Sequence, residues 1–283
     1  MDALVSSARR KGSAVVVGLD PDPRHLPGEI LKRALTEAEA VRKFCMGILE
    51  AVEPEAAAIK LQSAYFERLG PDGAKVYADL LGAAAALELP TIADVKRGDI
   101  GSVAAAYAEA HLSVYGATSV TVNPYMGADT IIPFLDEARA IGRGGGVFVL
   151  VATSNPSAAI FQDSSTPPLY EVAARLVADR GKAGASGYPD TGAVVGVTRP
   201  EVGRRVRQLL PYTLFLAPGY GAQKGDASGV RALLDAKQAG VLVNSSRGIL
   251  RAFEEPDGSD YKSAARDAAR RMREGLTAAG VRV

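Results

Sequence analysis

The sequence predicts an α/β fold, a (β/α)8 TIM barrel, from three observations. Eight apolar, β-branched runs recur along the chain, segments with helical apolar spacing lie between them, and 283 residues is a length that such barrels reach as one domain. The runs are "AVVVGLD" (14–20), "AAAIKLQ" (56–62), "TIADVK" (91–96), "ATSVTVN" (117–123), "GVFVLVATS" (146–154), "GAVVGVT" (192–198), "YTLFLAPG" (212–219) and "AGVLVNSS" (239–246). Nearly continuous apolar content is the mark of strands hidden on both faces, as in a parallel sheet.

The helical segments have apolar residues three and four apart, as in "DGAKVYADLLGAAAALEL" (72–89), "ADTIIPFLDEARAIG" (128–142) and "DYKSAARDAARRMREGLTAAG" (260–280). The β-then-α units average about 35 residues without a strict repeat, so a solenoid is not predicted. No linker interrupts them, and residues 1–283 read as a single domain. Two stretches exceed ordinary loop length, 154–168 and 219–229, and long loops in a compact fold are often functional.

Composition narrows the function. A net charge of +1 leaves no electrostatic footprint for nucleic acid or an anionic membrane. No run approaches the roughly 18 apolar residues of a membrane span. The "SAVVVGLD" run after Arg9, Arg10 and Lys11 is too short for a signal-peptide core and ends in Asp20. A soluble, cytoplasmic protein is expected. The one cysteine, Cys45, excludes an internal disulfide and reads as a buried thiol within "VRKFCMGILE". His25 and His111 are too scattered for a metal triad, His111 lies in a helical pattern, and no carboxylate spacing demands Mg²⁺. Neither metal nor cofactor is predicted.

The informative residues stand where the apolar strands run out. In a barrel that edge carries the catalytic groups, and here it reads Asp20, Lys60, Asp94, Lys96, Asn123, Ser154, the "PGYGAQ" loop, Ser246 and Arg247. A strand end meeting water explains any one of them, but not the whole set on one rim. Asp94 and Lys96 are two apart, so a regular strand points both to the barrel mouth. Opposite charges about 4 Å apart interact by about 4 kcal/mol at an effective dielectric near 20. With Lys60 at the matching level and Asp99 following, alternating charges suggest a preorganised electrostatic site. After the seventh strand comes the glycine-rich "APGYGAQKGD", and Arg247 follows the eighth. Glycines mark many plain turns. Paired with Arg247 and with Gln223 in the loop, they point to a phosphorylated ligand held by backbone N–H groups and a guanidinium.

Together these motifs resemble the orotidine 5′-phosphate decarboxylase family. "DVKRGDI" matches its Asp-x-Lys-x-x-Asp-Ile signature, while "VNPYMG", "TSNP" and "PGYGAQ" are similar to the bacterial members with the Lys-Arg-Gly-Asp form. The likeness runs from "VGLDP" to "NSSRGI". It implies a homodimeric barrel with shared active sites that converts orotidine 5′-monophosphate (OMP) to UMP in pyrimidine biosynthesis without a cofactor. It implies Lys60, Asp94, Lys96 and Asp99 as the charged tetrad, with Lys96 the proton donor and Asp99 reaching into the partner's site. Asp20 would contact the ribose, Ser154 the pyrimidine, and Gln223 with Arg247 the phosphate. Ile100 would pack near the base from the neighbouring subunit, and Asn123, Pro218 and Ser246 complete the substrate-binding set. The chain departs from the family at Val103, where threonine is usual, so a cross-subunit hydrogen bond would be lost there. Three other readings stay open: a Mg²⁺-dependent sugar-phosphate lyase of the keto-gulonate-phosphate decarboxylase or hexulose-phosphate synthase type, a Schiff-base aldolase using Lys60 or Lys96, and a non-catalytic phosphate-ligand-binding barrel.

Overall fold

Strands that are apolar on both faces need a packed layer on each side, and barrel closure supplies both. The computed structural model describes residues 1–221, 227–255 and 260–283. Its parallel strands close in chain order: β1 Val15–Leu19, β2 Ala58–Gln62, β3 Thr91–Arg97, β4 Ser119–Val122, β5 Val147–Ala152, β6 Thr191–Val195, β7 Phe215–Ala217 and β8 Val241–Ser245. β8 pairs back onto β1, with Val15 opposite Val243, so the sheet has no open edge. The strands fall within the predicted runs, apart from one-residue overruns at the end of β3 and the start of β6. β7 is cut to three residues. The buried Arg207 guanidinium donates to Thr213 O at 2.7 Å and to Leu210 O at 2.9 Å, so the backbone entering β7 is tied to a side chain instead of a neighbouring strand.

Helices Gly70–Ala86 and Tyr261–Ala278 occupy two of the predicted periodic stretches. The third divides into a single turn, Ala128–Thr130, and a helix, Ile132–Ile141, with Pro133 in the first turn, where its missing N–H costs nothing. The predicted loop 154–168 contains a short helix, Ala158–Gln162. Gln162 folds back to accept from Thr153 N at 3.1 Å and to donate to the Thr153 hydroxyl at 2.7 Å. No helix among the described residues is long and apolar enough to cross a membrane.

A helix ahead of β1 was not anticipated either. Asp2–Lys11 precedes β1 and ends at Gly12, whose φ of 57° suits a residue without Cβ. Arg9, Arg10 and Lys11 therefore cap the negative end of its dipole. Leu4, Val5 and Ala8 of this helix pack on Val16, Ala58, Ile92, Phe148, Leu216 and Leu242, which close the barrel floor. Alternate strand residues (Val15, Val17, Ile59, Leu61, Val147, Val149, Val241 and Val243) belong to the shell core between barrel and helices. Each large apolar side chain buried this way contributes about 1.5–3 kcal/mol.

The inward rows place the site. Two or four residues beyond Val16, Ala58, Ile92 and Leu242 on the same rows stand Asp20, Lys60, Asp94 and Asn244. The barrel interior thus changes from hydrocarbon to charge along its axis. Close approach at that upper level requires Gly196, beyond β6. A Cβ there would lie 2.8 Å from Ser154 Cβ and 2.9 Å from Ser154 Cα and N. Overpacking of this kind costs about 1–3 kcal/mol. Gly196→Ala is expected to lower Tm by about 2–10 °C in a thermal melt followed by circular dichroism; an unchanged Tm would show that the Ser154 backbone moves aside freely.

Candidate active site

The strand carrying the charges is irregular where they sit. β3 pairs with β4 at Ala93 opposite Val120 and resumes at Arg97 opposite Val122. Asp94, Val95 and Lys96 therefore face a single residue, Thr121, across a bulge. Lys96 has φ +48°, a left-handed conformation that costs a non-glycine residue roughly 1–3 kcal/mol. The expectation that Asp94 and Lys96 share a face by regular alternation needs amending: the bulge brings them together. The Lys96 ammonium donates to Asp94 Oδ1 at 2.5 Å. Bulges of this kind re-aim side chains next to functional sites.

Asp94 is the hub. Its Oδ1 also accepts from the Thr121 hydroxyl at 3.0 Å, and its Oδ2 accepts from Lys60 Nζ at 2.8 Å and from Gln62 Nε2 at 3.1 Å. These four donors use the lone-pair positions that a carboxylate offers. Burial by itself would push the Asp94 carboxyl up, but the Lys60 and Lys96 ammonium groups outweigh it and hold the group well below the usual carboxylate range. For Lys60, burial would favour the neutral amine, yet the charges of Asp20 and Asp94 outweigh it and raise its pKa. Both groups stay ionised. The Lys60 side chain is only 6% exposed, whereas that of Lys96 is 43% exposed. One lysine is sealed in and the other is open.

Within one chain the network is Asp20–Lys60–Asp94–Lys96, because Lys60 Nζ also lies 3.5 Å from Asp20 Oδ1. Asp99 is not in it. Its carboxylate accepts from Ile100 N at 2.8 Å, its own N–H donates to Thr130 Oγ1 at 3.0 Å, and it has no ion-pair partner among the described residues. Ile100 is half exposed beside it.

On the far side of β2 from β3, the ends of β8 and β1 meet through Gly18. A Cβ on Gly18 would fall 2.0 Å from Ser246 Oγ and 3.1 Å from Asn244 Oδ1, so the glycine of "VGLDP" gives β8 its polar end room. Asp20, Lys60, Gln62, Asp94, Pro218, Ser246 and Arg247 share one cavity of about 160 Å³ with Asn244 and Tyr220. Arg247 is exposed and makes no ion pair among the described residues. Asn244 Oδ1 is buried without a hydrogen-bond partner among the described residues. Four strands adjacent in the closed barrel, β8, β1, β2 and β3, thus carry a cation at one side and the charge network at the other.

Two predicted residues stand elsewhere. Asn123 Oδ1 accepts from Tyr125 N at 3.1 Å, capping a turn, and Asn123 lines a separate apolar cavity with Tyr125, Phe161 and Tyr170. Ser154 is half-buried on the β5 rim, where its carbonyl accepts from the Thr198 hydroxyl at 3.2 Å. Gln223 lies outside the described residues. Gln62, Thr121 and Asn244 belong to the site and escaped the sequence reading, although each is a polar residue on a strand at the level of Asp94. Cys45 is buried, and burial pushes its thiol well above the usual range, with Asp20 adding to the effect. His111 is buried, and burial with Arg97 nearby pushes it down to about 4, so it is neutral at pH 7. Among the described residues no group of three or more His, Cys, Asp or Glu is placed to hold a metal ion.

Comparison with known proteins agrees with this geometry. Residues 13–258 match the model of the orotidine 5′-phosphate decarboxylase / HUMPS family. The chain is 40% identical to orotidine 5′-phosphate decarboxylase of Rhodopirellula baltica, covering 94% of this chain and 95% of that one. It is 35% identical to the enzyme of the same name from Caldicellulosiruptor bescii, covering 98% of each. Among solved structures, Leishmania donovani OMP decarboxylase superposes with a TM-score of 0.78 at 32% identity over 99% of both chains. By sequence and by fold, the chain belongs to the orotidine 5′-phosphate decarboxylase / HUMPS family.

Proposed function

We propose that this protein decarboxylates OMP to UMP without a cofactor, with Lys96 as the proton donor. The observation that carries the reading is the Lys60–Asp94–Lys96 arrangement: two ammonium groups on one buried carboxylate at the barrel mouth, one of them open to solvent. Loss of CO₂ breaks the bond from C6 to the carboxylate and leaves its electron pair on C6. No ring system or cofactor delocalises that pair, so the enzyme must stabilise it electrostatically. The Lys96 ammonium supplies positive charge there and then transfers its proton to C6, giving UMP. The exposed amine regains a proton from solvent. Asp94 acts through its field, since its lone pairs are already engaged.

The remaining assignments are those the family resemblance implies: Asp20 at the ribose, Ser154 at the pyrimidine, and Arg247 with Gln223 at the phosphate; of these Asp20 and Arg247 line the cavity, together with Pro218 and Ser246. Phosphate binding far from C6 holds the ring against the charges. We also propose a homodimer. Ile100, Val103, Tyr107, Tyr125 and Met126 are exposed apolar side chains on the segments that follow β3 and β4, a concentration typical of an interface. Asp99, unpaired with any cation among the described residues, lies on the same rim and would complete the tetrad of the second subunit.

The deciding assay is loss of OMP absorbance with purified protein in the presence of EDTA. Turnover that survives the chelator supports this reading, and turnover that vanishes and returns with Mg²⁺ favours a metal-dependent lyase. Lys96→Ala is expected to lower kcat by at least about 10³-fold while UMP still binds; near-normal turnover would refute its role. Arg247→Ala removes charge-assisted hydrogen bonds worth about 1.5–3 kcal/mol. It should raise KM by about 10–100-fold with a smaller change in kcat, and an unchanged KM would remove Arg247 from the phosphate site. Ile100→Lys is expected to shift the protein from dimer to monomer in sedimentation velocity; a dimer of unaltered affinity would move the interface elsewhere.

A further inference from the structure

Thr121 is the single β4 residue opposite the three-residue bulge of β3, and it is 1% exposed. Its hydroxyl makes two bonds of different kinds. It accepts from the backbone N–H of Lys96 at 3.0 Å and donates to Asp94 Oδ1 at 3.0 Å. The same Asp94 oxygen accepts from Lys96 Nζ at 2.5 Å. One oxygen thus grips both ends of the group that must be aimed, the peptide from which Lys96 departs and the carboxylate to which its ammonium is tied. Ladder bonding does not do this work, because regular pairing of β3 with β4 stops at Ala93 and resumes only at Arg97, whose carbonyl accepts from Asn123 N at 2.8 Å.

We propose that Thr121 is a positioning residue for Lys96: its hydroxyl holds the left-handed backbone that directs the ammonium. The inference rests on the reading of Lys96 as proton donor. The physical reason is the conformation itself. A φ of +48° is disfavoured for lysine and persists only where its surroundings over-determine it. Removing the hydroxyl leaves the Lys96 N–H without this partner and frees one position on Asp94. The backbone then relaxes toward negative φ, and the ammonium swings from the place where it meets C6. Arg247 and the cavity wall of β8 and β1 are untouched, so nucleotide binding is preserved.

Thr121→Val keeps the branched shape and removes only the hydroxyl. The expected result is a fall in kcat on OMP of about 10²-fold, the order that a 1 Å misplacement costs, with KM and calorimetric UMP affinity within about threefold of wild type. Thr121→Ser, which restores the hydroxyl, should return kcat to within about fivefold. Thr121→Ala, which removes the oxygen without setting a methyl against Asp94, should match the valine variant and serves if that one does not fold. A kcat within threefold of wild type in the hydroxyl-free variants, or equal loss of kcat and UMP affinity, overturns the inference. Failure of the underlying reading looks different: there the wild-type protein does not consume OMP, or Lys96→Ala consumes it at the wild-type rate.

Discussion

The site depends on one buried carboxylate. Asp94 takes two lysines, a glutamine and a threonine at 2.5–3.1 Å, and these come from β2, β3 and β4. Buried ion pairs are poor investments in stability: desolvation offsets much of the attraction, and well-packed hydrocarbon often does as well. Removing a single partner, however, strands a buried charge at a cost of several kcal/mol. The network is therefore all or nothing, which makes it an effective way to fix two ammonium groups in space. A site of this kind spends folding free energy in advance, so that little reorganisation is left for the moment when charge develops on the substrate.

The barrel makes that arrangement possible without a large polar core. The inward rows of β1, β2, β3 and β8 are hydrocarbon at the floor, where the Asp2–Lys11 helix seals them, and polar only over their last residues. Between the shell and floor cores, the charges occupy a narrow level with low-dielectric walls below and beside them. Glycines set how closely the rims approach: Gly18 leaves room for Ser246 and Asn244, and Gly196 for Ser154. Cavity shape at the mouth is thus fixed by absent side chains as much as by present ones.

This explains what the sequence made legible. The strands were readable because both-face burial leaves unbroken apolar runs, and the charges were readable because they interrupt those runs. Asp20, Lys60, Asp94 and Lys96 all lie where that logic put them. The bulge was not readable: "TIADVKR" has the pattern of a regular strand, and the positive φ at Lys96 arises from pairing with a segment about 25 residues away. Gln62 and Thr121 were missed for a related reason. A glutamine or threonine near a strand end is ordinary, and only its partner shows that it holds a carboxylate. The Asp2–Lys11 helix was missed because its apolar face is short and its partners are spread over the strands of the barrel floor. Asn123 illustrates the opposite error of emphasis: its position at a strand end is as expected, but its side chain serves the following turn.

Two lysines bound to the same carboxylate would be redundant if charge were all that mattered, and their surroundings argue that it is not. Lys60 is enclosed, held by Asp20 as well as Asp94, with only 6% of its side chain exposed. Its contribution is a permanent positive charge and the fixing of Asp94. Among the described residues Lys96 has Asp94 as its one ion-pair partner, and it keeps 43% of its side chain exposed. That exposure would be a flaw in a purely structural ion pair, since water weakens the attraction. For the proton donor proposed at Lys96, which would surrender a proton each cycle and take up another, it is a requirement. Burial therefore divides the labour between chemically identical side chains, and the left-handed turn at Lys96 lets the second of them reach the open side while still touching the shared anion.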